Sequence, residues 1–166
     1  MNFLSRSCQR FTMSSNTPLD NWRFLVGEWK GGSESQFGGK GTIESKATFI
    51  FEPSDRFIMG THEAWREGAL ENKSITLLYY DQDANRFIRK SFFSYGWCNN
   101  EVEYASNEHE IRFEVEIEPF PKSFEGMRWR SYMTRASDDE IRMGLEVAKK
   151  GEDFKNFGDS VMKRVG

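Results

Sequence analysis

The chain has 166 residues, a formal net charge of −3 and 30% charged residues. One domain is the default at that length, and it suffices to bury a single good core. Acidic and basic residues are interspersed, so the basic footprint of a nucleic-acid binder is missing, and no apolar run approaches the roughly 18 residues of a membrane helix. Aromatics make up 15% of a polar chain, with Phe dominant. Apolar content held in a few large side chains suits sheets with one buried and one wet face. Cys8 and Cys98 are the two cysteines. They offer neither a disulfide framework nor zinc spacing, which points to a reducing, cytoplasmic setting.

Residues 1–12, MNFLSRSCQRFT, carry Arg6 and Arg10 and no acid. That is the composition of a short organellar transit segment; a disordered tail, or extra residues ahead of a start at Met13, are the other readings. The expected division is therefore a tail over 1–16 and one domain over 17–166. Residues 18–26, PLDNWRFLV, form a short helix, with Thr17 as cap, Pro18 in the first turn and Gly27 as terminator. Leu19, Trp22 and the Phe24–Val26 cluster fall on one side.

Beyond Gly27 the period changes from helix to strand. GEWKGGSESQ, GKGTIESKATFIF, RFIMGTHEAWR (56–66), ITLLYYD (75–81) and RFIRKSFFSY (86–95) follow in order, broken by Pro53, Gly68 and the turn residues DQDAN. After Gly96 and a turn at GWCNN come EVEYA (101–105) and HEIRFEVEIEP (109–119). The latter alternates strictly, Ile111, Phe113, Val115 and Ile117 against Arg112, Glu114, Glu116 and Glu118, as a half-buried strand does. MRWRSYMTR (127–135), EIRMGLEVAKK (140–150) and FKNFGDSVMKRV (154–165) complete ten strand candidates. Their short connections and consecutive order predict an all-β fold, an antiparallel up-and-down barrel of about ten strands with a short N-terminal helix. Closure removes the two edges an open sheet would expose. An open sandwich is the competing architecture.

GEWKGG is not a phosphate cradle. A P-loop needs Gly-Lys-Ser/Thr opening a helix, and a dinucleotide fingerprint needs a strand before the glycines and a helix after them. Here a helix precedes and strands follow. Trp29 is expected to plug one end of the barrel against the helix, with the glycines permitting close backbone approach.

The histidines are His62 and His109. His109 lies in an acidic turn and is expected in solvent. His62 shares a strand face with Ile58, Gly60 and Ala64, where a lone histidine is usually structural. Arg130 and Tyr132 share the face opposite Trp129 and Met133, the better core residues, and so read as exterior. If Met59 and Trp65 point inward, so does Glu63; if Phe87, Phe93 and Tyr95 point inward, so does Arg89. An inward Glu63–Arg89 pair would then form the polar part of a cavity, since unpaired burial is costly. A one-residue shift of either strand would expose its charge instead. Strands 75–95 are apolar on both faces. The outer one must be covered by the helix around Trp22 or by a second subunit.

Leu25, Gly27, Trp29 and Gly31 near the start, Tyr80, Asp81 and Phe87 in the middle, and Lys163–Arg164 at the end occur in an order that resembles calycin-type barrels. These include lipocalins, fatty-acid-binding proteins and nitrobindin-like domains. The likeness is greatest to a bacterial lipocalin-like family of unknown function, and spans about residues 18–165. It implies a barrel with an apolar cavity. Nitrobindin-like members hold haem through a late histidine, and no histidine follows His109 here, so no cofactor is expected. In fatty-acid-binding proteins an Arg-x-Tyr pair on the last strand grips a carboxylate; Arg130 and Tyr132 stand two strands too early for that.

The expected function is binding of a small, mostly apolar molecule, with Phe49, Met59, Glu63, Trp65, Arg89, Phe93, Phe113, Trp129 and Met143 around it. The alternatives are an enzyme using the same cavity, with Glu63 or His62 as acid/base, and a barrel filled by its own side chains that serves in assembly. The expected partners are that small molecule and a second copy through the 75–95 wall, with no nucleic acid and no membrane span.

Overall fold

A computed structural model describes residues 17–34, 41–52, 55–118 and 122–166; the expected 1–16 tail lies outside them. A 3-10 helix, Pro18–Leu25, leads into ten strands: β1 (Gly27–Glu34), β2 (Thr42–Phe51), β3 (Phe57–Arg66), β4 (Ala69–Asp81), β5 (Arg86–Phe93), β6 (Cys98–Ser106), β7 (Glu110–Glu118), β8 (Met127–Ser137), β9 (Glu140–Lys149) and β10 (Lys155–Arg164). Each pairs antiparallel with its neighbours in sequence, and β1 pairs with β10, so the sheet is a closed up-and-down barrel. β4 begins six residues earlier than the apolar pattern suggests, because Asn72 and Ser74 face the interior where apolar residues would be looked for. Cys98 opens β6 rather than lying in a turn. Among the described residues no helix is long and apolar enough to cross a membrane.

Inward positions divide the barrel into two halves. At the helix end they are large. Trp22, Trp29, Ile58, Ile111, Phe113, Ile141 and Met162 are all essentially inaccessible and belong to one apolar cluster with Leu78 and Phe87. At the other end they are small: Ser45, Ala64, Ser74, Thr76, Ser91 and Gly158. The first half is therefore a packed core and the second leaves space.

The helix forms the floor. The Asp20 carboxylate accepts the Thr17 N–H at 2.8 Å and fixes the first turn. Trp29 Nε1 donates to the Leu25 carbonyl at 2.7 Å in a buried bond, so the last turn of the helix is tied to β1. Arg164 completes the joint. Its guanidinium lies 4.5 Å from the Trp29 ring centre and donates to the carbonyls of Val26 (2.8 Å), Asp138 (3.0 Å) and Phe24. One side chain from β10 thus holds the helix, β1 and the β8–β9 turn.

The glycines of the opening segment answer to this seam. Gly27 sits at φ 133°, where other residues are strained, and a Cβ there would lie 2.7 Å from Arg164 Nη1. A Cβ at Gly31 would stand 1.9 Å from the Val161 carbonyl oxygen, so the approach of β1 to β10 needs glycine.

Arg164→Lys keeps the charge and loses the planar fork that reaches several carbonyls at once. It is expected to lower the unfolding free energy by about 2 kcal/mol. Urea denaturation followed by tryptophan fluorescence measures the difference.

Candidate functional site

The half with small inward residues encloses a cavity of about 820 Å³. It runs from Leu25 above the floor to the rim formed by the β5–β6 turn, the β7–β8 connection and β10. Its lining is mainly apolar, with polar groups at a few positions, as in many ligand pockets.

An arc of aromatic rings follows the rim. Phe93 stacks on Tyr95 with centroids 5.2 Å apart, Tyr95 meets Trp97 edge-on at 4.8 Å, and Trp97 meets Phe124 at 6.0 Å. Phe124 continues to Trp129 at 5.1 Å and Trp129 to Phe157 at 5.3 Å. These rings all line the cavity. Phe93, Tyr95 and Trp97 alternate along one short segment, whereas Phe124, Trp129 and Phe157 come from later parts of the chain and join them only in the fold.

The deepest polar feature joins β5, β6 and β8. Arg89 and Glu101 stand opposite each other in the β5–β6 register, both inward. Arg89 Nε donates to Glu101 Oε2 at 2.7 Å, and Arg89 Nη2 bonds the same oxygen. Ser131 Oγ donates to that oxygen at 2.7 Å and accepts from Arg89 Nη2 at 2.9 Å. The guanidinium also lies 4.7 Å from the centre of the Phe113 ring. Glu101 is 3% exposed. Burying a charge this deeply is tolerable only because the partner and the hydroxyl are in place. A separate bond joins Thr76 Oγ1 and Ser91 Oγ at 2.9 Å on the neighbouring wall. Ser160 lines the cavity, and its hydroxyl is buried with no hydrogen bond to any described residue.

Phe49, Arg89, Phe93, Trp129 and Met143 line this space. Phe113 is fully buried in the core cluster, behind Arg89. Met59, Glu63 and Trp65 face outward, which corrects the expected Glu63–Arg89 pair. The register puts Ile58, Gly60, His62 and Ala64 inside instead. Phe49 decides it. A Cβ at position 60 would meet the Phe49 ring at 2.5 Å, so Gly60 must lie beneath that inward ring, and its neighbours in sequence must point away. Glu63 bonds Lys73 Nζ at 2.9 Å on the outer surface, and Trp65 carries Lys46 over its ring at 4.8 Å. Arg130 and Tyr132 are exterior as expected: Arg130 bonds Glu114 at 2.9 Å and Tyr132 bonds Asp159. His109 is exposed beside Glu108.

Glu101, Ser131 and the rings of Trp97, Phe124 and Phe157 have no counterpart in the sequence reading. Glu101 hides because Val102 and Tyr104 look like the inward residues of EVEYA. The strict alternation of β7 holds the signal. Val115 is inward, and Glu101 stands opposite it.

The outer wall also departs from expectation in part. Trp22 lies inside the barrel, 6.5 Å from Phe87, so the helix does not cover strands 75–95. Ile75 and Phe92 face each other on the outside, 47% and 49% exposed.

No family model and no curated protein sequence matches the chain. Solved structures do. The protein Rv2717c from M. tuberculosis is similar over 90% of this chain and 98% of its own, with a TM-score of 0.69 at 15% identity. The S-type phycobiliprotein lyase CPES from Guillardia theta is similar over 89% of this chain and 92% of its own, with a TM-score of 0.51 at 12% identity. At these identities the likeness is one of fold, and the fold is the lipocalin-like, calycin-type barrel.

His62 faces the cavity, and burial holds its imidazole below the usual histidine range, with the Glu63 charge opposing in part. The folded chain therefore takes up this proton at lower pH than the unfolded chain. Stability associated with His62 is intact above about pH 6.5 and falls as pH drops below it, toward the depressed folded value. Between pH 7 and 5, His62→Gln is expected to lose less stability than the parent chain, measured by urea denaturation at each pH. An NMR titration should place the imidazole below 6.5.

Proposed function

We propose that the protein binds a small, mostly apolar molecule inside the barrel. The observation that carries this reading is the cavity of about 820 Å³ left by small inward side chains and rimmed by aromatic rings. Space of that size argues against a barrel filled by its own side chains. Among the acid/base candidates of the enzyme reading, Glu63 faces outward and only His62 faces the cavity. Phe49, Phe93, Trp129 and Met143 supply apolar contact, and Arg89 with Glu101 supplies polarity. The phycobiliprotein lyase shares the fold and is named an enzyme, so the fold itself does not choose between binding and catalysis. Haem does not fit by the route of nitrobindin-like proteins, because the late histidine has no counterpart. The scarcity of cysteine supports a reducing, cytoplasmic setting.

A second copy of the chain is the proposed cover for the outer wall. The Ile75–Phe92 pair adjoins the outward row Ile50, Met59 and Leu77, which crosses three strands, and the chain's own helix is engaged inside. Light scattering at high concentration should return twice the chain mass, and Phe92→Lys should return the monomer. A monomeric mass for the parent chain counts against the dimer.

The cavity reading is tested by filling it. Ser91 is buried and faces the space, so Ser91→Phe removes volume at some cost to the Thr76 bond. The neutral dye Nile red is expected to bind the parent chain with enhanced fluorescence. Denying it some 60 Å² of apolar contact should weaken binding about tenfold in the variant. Equal binding by both chains, with the circular dichroism melt of the variant still cooperative, would overturn the reading.

A further inference from the structure

We infer that the ligand's buried end is uncharged and presents a hydrogen-bond acceptor beside a donor, as an amide or lactam does, on a planar conjugated body. The inference rests on the cavity being a binding site and says what it selects.

Charge comes first. Of the described residues lining the cavity, Arg89 is the single arginine or lysine, and Glu101 is the carboxylate opposite it; Glu71, paired with Arg66, and Asp159, bonded to Tyr132 and Asn156, are exposed. Arg89 is already matched by Glu101, with both side chains largely buried. A carboxylate ligand would leave two anions around one cation in a low-dielectric site, which is unfavourable. A cationic end would meet a carboxylate whose charge is already spent on Arg89.

Unused hydrogen-bonding capacity comes second. Three bonds converge on Glu101 Oε2, from Arg89 Nε, Arg89 Nη2 and Ser131 Oγ. Glu101 Oε1 and Arg89 Nη1 make no hydrogen bond to any described residue. Neither atom is among the sealed polar atoms, and both residues line the cavity. The pair therefore offers one acceptor and one N–H donor to whatever enters. A ligand end with the reciprocal groups satisfies both. An ether or a ketone satisfies only the donor, and a hydrocarbon satisfies neither.

Shape comes third. The rings from Phe93 through Tyr95, Trp97, Phe124 and Trp129 to Phe157 follow one another along the rim, the first pair stacked and the rest edge to face, so that both ring faces and ring edges border the opening. Such a rim favours flat conjugated bodies over flexible alkyl chains.

Three probes of one shape separate these terms: 2-naphthamide, 2-naphthoate and naphthalene, titrated by protein-observed NMR at pH 7.5, with Nile red as the control for the cavity. The amide is expected to bind about tenfold tighter than naphthalene and at least as far ahead of naphthoate. Glu101→Gln frees the Arg89 charge and is expected to shift preference toward naphthoate. Should that variant fail to fold, the ranking of the three probes on the parent chain decides alone. If Nile red enters but the amide binds no tighter than naphthoate or naphthalene, the donor–acceptor inference is overturned and the binding cavity stands. If Nile red does not enter either, the cavity reading and the inference fall together.

Discussion

A closed barrel of consecutive hairpins has one seam that chain proximity does not supply, and here it is the meeting of the first strand with the last. β1 and β10 face each other over four residue pairs, against eight between β1 and β2. A contact this short between chain ends cannot draw on local loop closure, and its entropy cost is the largest in the sheet. The Trp29–Arg164 contact reinforces it. Trp29 is buried and bonded to the helix, while Arg164 stacks on it and binds carbonyls of the helix end and of the β8–β9 turn. Val165 adds a backbone bond to Glu28 at 2.8 Å. Closure, floor and helix consequently share one set of contacts.

The cavity exists because closure is secured elsewhere. Large residues concentrate in the half next to the clamp, and there the barrel is packed as a core. In the other half the inward sites carry Ser, Thr, Ala and Gly, which satisfy the backbone without filling the lumen. The buried Arg89–Glu101–Ser131 group sits near the boundary, over Phe113. Low dielectric from the packed side strengthens that ion pair, and open space on the other side leaves part of its hydrogen-bonding capacity exposed to the lumen.

Architecture was legible in the sequence because hairpin barrels are written locally. The ten strand segments, their turns and the change of period after Gly27 each follow from a few adjacent residues. Strand facing was legible where alternation was strict, as in Ile111, Phe113, Val115 and Ile117. It failed in FIMGTHEAW, where both faces carry apolar residues and the larger ones, Met59 and Trp65, draw the eye inward. The deciding quantity was the fit of Phe49 over Gly60, a contact between strands that no single segment contains. The same limit hid Glu101. A charged residue ahead of Val102 and Tyr104, which look like the inward positions, reads as solvent-facing until its cross-strand partner is known. Single-strand patterns register burial, whereas the polar site arises from pairing across three strands.

The separation of the two halves bears on how such a protein can change. Residues that set the volume and polarity of the lumen are, for the most part, not the residues that close the sheet. Exchanges among Ser, Thr, Ala and Val at inward positions of the open half alter the chemistry offered to a guest by a methyl or a hydroxyl at a time, while the seam and floor keep their contacts. A barrel built this way can vary what its lumen presents without disturbing its scaffold. Its shape would then outlast wide drift in its sequence.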